Sequence, residues 1–170
     1  GLDLTGYITL PPDYRKGQKI PFIIHPHGGP NAKDRFGYNP EVQIYATRGY
    51  GVIQVNYRGS VGFGLEKMKL ANRQWSLKMH DDLLDALDWA NNKGFVDMNK
   101  VCISGASYGG YSAMVGITKN ADIFKCAINY VGVVDLYTLY DDKQWMFADM
   151  GRPQQHIEMG DPETERDVLE

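Results

Sequence analysis

A chain of 170 residues has the length of one domain, and at 43% hydrophobic residues it can bury a core. A charged fraction of 23% and a net charge of −3, with no basic block, give nucleic acid and anionic membrane surfaces nothing to bind. No apolar run reaches the ~20 residues of a membrane span. The start, Gly1-Leu2-Asp3-Leu4-Thr5, lacks the regions of a signal peptide and an initiator Met, so the chain is expected to begin inside a longer gene product.

Tyr7-Ile8-Thr9-Leu10 is β-prone and stops at Pro11-Pro12. Ile20–Ile24 is a second strand running into His27-Gly28-Gly29-Pro30. A helix is expected near Glu41–Arg48, ended by Gly49 and Gly51, and Val52–Val55 is the third strand, closing on Asn56-Tyr57-Arg58-Gly59. After a loop punctuated by Gly62 and Gly64, the pattern predicts a helix from Ser76 to Asn92. Met79, Leu83, Ala86, Leu87 and Ala90 share one of its faces, and Asp81, Asp85 and Asp88 form a solvated opposite face. Lys100–Ser104 is the fourth strand, Tyr108–Thr118 a helix and Cys126–Val131 the fifth strand. Tyr137 to Gly160 shows no clear strand, and Asp161-Pro162-Glu163 reads as a helix start. Alternating short apolar strands and helices predict an α/β protein with a mostly parallel sheet and helices on both faces.

Ser107 lies in Gly105-Ala106-Ser107-Tyr108-Gly109-Gly110, between a strand and a helix. That is the Gly-x-Ser-x-Gly pattern in the context that gives it meaning. A serine hydroxyl at its ordinary pKa is a weak nucleophile, so a fold that uses one must present it exposed, beside a base. A sharp turn does the presenting, and Gly105 and Gly109 remove the side chains that would collide across it. The turn also sets Ser107 at a helix N-terminus, where free N–H groups face developing negative charge.

The second signal is His27-Gly28-Gly29-Pro30, also at a strand's carboxyl end, where ligands collect in such sheets. The expected oxyanion donors are the N–H of Gly29 and the N–H of Tyr108, Gly28 letting the loop come close. His27 precedes the serine, whereas this fold orders its triad Ser, acid, His, so His27 is read as shaping the loop and not as the base. His25 and His80 read as packed residues. Ser107, Asp135 and His156 form a formally available triad that is set aside, because residues 136–156 contain no strand to carry either partner. Asp141, Asp142 and Asp149 also lie in the interval, and Asp135 is expected to shape the rim of the site. Arg58 is read as pairing with a buried carboxylate or holding the loops, with direct substrate contact the alternative. Trp75, Tyr137, Tyr140, Trp145 and Phe147 are candidates for a substrate pocket, with core packing the equal alternative. No metal or cofactor is expected.

Cys102 and Cys126 fall in strands expected to be buried and are read as small apolar thiols. A disulfide requires those strands to be neighbours in register. The thiol reading leans to a reducing compartment, the cytoplasm.

His27-Gly28-Gly29-Pro30, Asn56-Tyr57-Arg58-Gly59-Ser60 with Gly62-Phe63-Gly64, and Gly105-x-Ser107-Tyr108-Gly109-Gly110-Tyr111 together resemble the prolyl oligopeptidase family of serine peptidases. The likeness is to the acylaminoacyl and dipeptidyl peptidase branch. Asp81-Asp82 ahead of Leu83 and Trp89, and Val133-Val134-Asp135, fit the same pattern. The resemblance runs from about Gly6 to Glu170. It implies an α/β-hydrolase catalytic domain that cleaves short peptides, preceded in the parent by a β-propeller. Some members place a tyrosine where this chain has His27, its hydroxyl serving the oxyanion. Its absence favours the two-amide arrangement and argues against strict proline specificity. The family carries its acid and histidine on two later loops, so residues 1–170 are expected to be a C-terminally truncated catalytic domain without propeller, inactive alone for want of a base. Its exposed sheet edge would invite homo-oligomers. An esterase or lipase on the same fold, or a non-catalytic binding domain, remain the alternatives.

Overall fold

A computed structural model of the chain describes residues 1–141 and 155–165. Five strands form one sheet: β1 (Thr5–Thr9), β2 (Ile20–Ile24), β3 (Gly51–Asn56), β4 (Val96–Ala106) and β5 (Phe124–Tyr130), in the order β1-β3-β2-β4-β5. β1 runs antiparallel to β3, and every other pairing is parallel. The helices include α1 (Pro40–Ala46), α2 (Leu65–Lys69), α3 (Lys78–Asn92), α4 (Tyr108–Lys119) and α5 (Leu136–Asp141), and residues 155–159 are helical as well.

The chain leaves β2 for β3 on one side, then crosses back over β2 to β4 on the other. Right-handed crossovers in opposite directions put α1 on one face and α3 with α4 on the other. Alternation along the strands agrees. Phe22, Ile24, Ile53, Val55, Val101 and Ile103 pack with Met79, Leu83 and Leu87 in the main core. On the opposite face, His25 and Ser104 meet Tyr45 of α1. Burying each large apolar side chain contributes about 1.5–3 kcal/mol, so this two-sided core carries the sheet.

Asn39 caps α1, its side chain accepting from Glu41 N at 3.0 Å and Val42 N at 3.3 Å, with Pro40 at the first helical position. α3 starts at Lys78, two residues later than the apolar period predicts, after a turn in which Ser76 adopts φ 56°. β4 starts earlier than predicted because Val96 pairs with Ile20. The short helices α2 and α5 carry no apolar period long enough to announce them. Asp161 accepts a hydrogen bond from Glu163 N at 2.8 Å and residues 162–164 form a turn, while residues 166–170, where the expected helix would continue, lie outside the described residues. Asp85 and Asp88 lie exposed beside Asp81 on α3, as the pattern predicts.

The expectation of free cysteines is corrected. β4 and β5 are neighbours, and their register sets Cys102 opposite Cys126 with Cα atoms 4.7 Å apart, joined as a disulfide. Nor is Cys126 buried: β5 is the sheet's edge among the described residues, and Cys126 is exposed on it.

Candidate active site

Because β3, β2 and β4 are consecutive in the sheet, the loops at their carboxyl ends stand side by side at the point where strand order reverses. Those loops bring Tyr57, His27 and Ser107 to one edge. Ser107 takes φ 54° and ψ −119°, a conformation L-residues rarely occupy and a store of backbone strain. Its N–H donates to Tyr130 O at 3.0 Å and its carbonyl accepts from Tyr111 N at 3.0 Å, so the bend is held from both sides. The side chain is half-buried at the start of the twelve-residue helix α4.

Close approach explains the glycines. A Cβ at Gly105 would stand 2.6 Å from the carbonyl carbon of Gly109, and one at Gly109 only 2.3 Å from Pro26 O. The glycine loop after β2 then closes on the turn: a Cβ at Gly28 would lie 2.9 Å from Ala106 O and 3.5 Å from Ser107 Cβ. Gly29 adopts φ 67°, and its N–H has no protein acceptor among the described residues. Tyr108, as the first residue of α4, holds one of the amides a helix cannot satisfy internally. Two unspent N–H groups thus flank the edge at which Ser107 sits.

His27 is buried, its ring stacked on Tyr57 with centroids 4.4 Å apart. Nε2 lies 3.0 Å from Ser60 Oγ, and Nδ1 lies 3.2 Å from Gly28 O and 3.1 Å from the Tyr57 hydroxyl. Burial, opposed by the Gly28 carbonyl and Asp34, holds its pKa below the usual imidazole value. The ring is therefore neutral at pH 7, and one proton on Nδ1 satisfies the set: Nδ1–H donates to Gly28 O and the Ser60 hydroxyl donates to Nε2. Burial raises the Tyr57 and Tyr108 hydroxyls above the ordinary phenol range, so both stay protonated.

Arg58 is engaged with α3. Its Nε and Nη2 donate to Asp82 Oδ2 at 2.9 Å and Oδ1 at 2.6 Å, and its backbone N–H donates to Oδ2 at 2.7 Å. Asp82, on α3, is 1% exposed. The buried carboxylate that Arg58 was expected to find is thus the neighbour of the solvated Asp81.

The other histidines are engaged elsewhere. His25 Nδ1 meets Ser104 O at 2.9 Å, His80 Nε2 meets Asn120 Oδ1 at 2.8 Å, and His156 Nδ1 lies 3.9 Å from Asp161. Asp135 accepts from the N–H groups of Tyr137 and Thr138 and from the Thr138 hydroxyl, capping α5. Hydrogen bonds to the charged form lower its pKa. Trp75 sets its ring edge-on to Tyr108, centroids 4.6 Å apart, and packs on Tyr111. Tyr137 and Tyr140 pack around Leu136, Leu139 and Met159. Trp145, Phe147, Asp142 and Asp149 lie outside the described residues, as does the Asp141 side chain.

Sequence reasoning assigned no role to Tyr57, Ser60 or Asp82, although all three fall in segments it singled out. The missing signal was strand order: once β3 is placed beside β2, Tyr57 must stand beside His27.

Residues 36–168 match the model of the prolyl oligopeptidase family, Peptidase_S9, so this chain belongs to that family. It is 40% identical over 168 residues to dipeptidyl aminopeptidase BIII of Pseudoxanthomonas mexicana, covering 95% of this chain and 24% of that protein. It is 35% identical over 158 residues to dipeptidyl peptidase family member 6 of Caenorhabditis elegans, covering 81% and 21%. Pyrococcus horikoshii acylaminoacyl peptidase superposes with a TM-score of 0.85 at 28% identity, covering 99% of this chain and 26% of that one. The fold is thus that of α/β-hydrolase peptidases, and the chain spans about a quarter of the length of these relatives.

Proposed function

We propose that residues 1–170 form the nucleophile and oxyanion half of a serine peptidase catalytic domain that cleaves short peptides. The observation that carries this reading is the strained Ser107 bend, with the His27–Gly29 backbone pressed against it. In the proposed reaction Ser107 Oγ attacks a peptide carbonyl carbon while a base removes its proton. The carbonyl oxygen, now an oxyanion, accepts hydrogen bonds from the N–H groups of Gly29 and Tyr108. Collapse expels the amine, which takes the proton back from the base, and water then cleaves the ester on Ser107.

We read the base and its acid as supplied from outside the described residues: hydrogen bonds hold His25, His27 and His80, and His156 lies beside Asp161 at 3.9 Å. A β-propeller in the same protein and assembly into homo-oligomers belong to this proposal. Among the described residues no helix is long and apolar enough to cross a membrane. The expectation of a cytoplasmic location rests on free thiols, and the Cys102–Cys126 disulfide removes that ground.

The test is fluorophosphonate labelling of the full-length protein with mass-spectrometric mapping, beside hydrolysis of peptide and ester substrates. Labelling is expected on Ser107, and Ser107→Ala should abolish it while kcat falls on the order of 10⁶-fold or to the detection floor. Ester cleavage without amide cleavage would make the protein an esterase. An inert Ser107 would make it a binding domain.

A further inference from the structure

Tyr57 is fully buried, and a buried phenol must spend its proton on a partner. Its hydroxyl lies 2.9 Å from His27 O, 3.4 Å from Gly29 O and 3.1 Å from His27 Nδ1. All three partners belong to the glycine loop and none to a substrate. The His27 ring, stacked on Tyr57, holds the Gly28 carbonyl on the same side.

A trans peptide unit points its C=O and its N–H in opposite directions, and the chain contains no cis bond among the described residues. Fixing the carbonyls of His27 and Gly28 on the Tyr57 side therefore turns the N–H groups of Gly28 and Gly29 to the other side. That side includes the Ala106–Ser107 bend, which Gly28 approaches. We infer that Tyr57 is a positioning residue for catalysis: by pinning the His27 and Gly29 carbonyls, its hydroxyl fixes the peptide units on either side of the one that carries the Gly29 N–H, whose own carbonyl, Gly28 O, is held by the His27 ring, and so aims that N–H at the oxyanion. Tyr57 sits at the carboxyl end of β3, the strand next to β2, so it reaches the loop from behind without entering the substrate's space. Ser60, on Nε2 of His27, braces the same ring from its far side.

This inference rests on Ser107 being the nucleophile, and the experiment separates the two. In the full-length protein Tyr57→Phe removes only the hydroxyl and keeps the ring stacked on His27. Turnover of a peptidyl p-nitroanilide is expected to fall roughly 10- to 100-fold in kcat, less than the 100- to 1000-fold of losing a donor outright, with KM within about twofold. The inhibition constant of a peptidyl boronate, whose tetrahedral adduct carries an oxyanion-like group, should rise by the factor that kcat/KM falls. Titrating the folded sites with the boronate and expressing kcat per titrated site keeps this comparison valid through partial loss of stability in the variant. Ser60→Ala should shift both quantities the same way, by less.

An unchanged kcat in Tyr57→Phe overturns the inference while leaving Ser107 as nucleophile. So does a fall in kcat that boronate binding fails to follow, since that marks a structural role only. A wild-type protein that neither labels at Ser107 nor binds the boronate overturns the Ser107 reading itself, and this inference with it.

Discussion

Single residues in this chain are tuned by burial, and two histidines show it in opposite settings. His27 spends both ring nitrogens on the glycine loop and its brace, whereas His80 donates Nε2–H to Asn120 and leaves Nδ1 buried without a partner among the described residues. Burial lowers the pKa of each below its ordinary value of 6.5. The unfolded chain therefore takes up protons that the folded one refuses. Their contribution is fully present above about pH 6.5 and is lost as pH falls through that value toward the folded pKa. Urea denaturation should show a lower midpoint at pH 5.5 than at pH 7.5, and His80→Gln should flatten part of that slope. A midpoint that stays level between the two pH values would show that neither ring is held neutral by the fold.

Among the elements, the joint between the β3 loop and α3 is made by a buried ion pair. Arg58 grips Asp82 with two guanidinium nitrogens and its own backbone N–H, and the side chains are 15% and 2% exposed. A bidentate pair of this kind fixes where the Asn56–Ser60 segment lies, and that segment carries Tyr57 and Ser60 to His27. Asp82→Ala would strand a partly buried guanidinium, and Arg58→Met would strand a buried carboxylate. Each should cost about 3–5 kcal/mol of unfolding free energy, whereas the double replacement Arg58→Met with Asp82→Leu should cost markedly less than the sum. Chemical denaturation of the four proteins, wild type included, checks this. Additive losses would show that the two side chains do not act as a pair.

For the whole molecule, what matters is which edge of the sheet is left bare among the described residues. β1 pairs antiparallel at one side, while β5 ends the other with Ile128, Tyr130 and Val131 at 46%, 68% and 72% exposure. An apolar edge strand is a template for another strand. The 170-residue chain expressed alone is expected to self-associate, its sedimentation coefficient rising with concentration, and Ile128→Lys should shift it toward monomer. A chain that stays monomeric at every concentration would show that β5 is not an open template for pairing.

The features readable from sequence were the local ones. Gly105 ahead of Ser107, the His27–Pro30 run after an apolar strand, and the apolar stripe of α3 all follow from contacts within a few residues, where spacing alone dictates sterics, whereas Gly109 is required by the carbonyl of Pro26 on another loop. Only the tertiary structure decided that Arg58 finds Asp82, that Tyr57 stands behind the glycine loop, and that Cys102 meets Cys126. Each of those pairings depends on strand order and register, and these are set by long-range packing of the whole sheet, which no local spacing encodes.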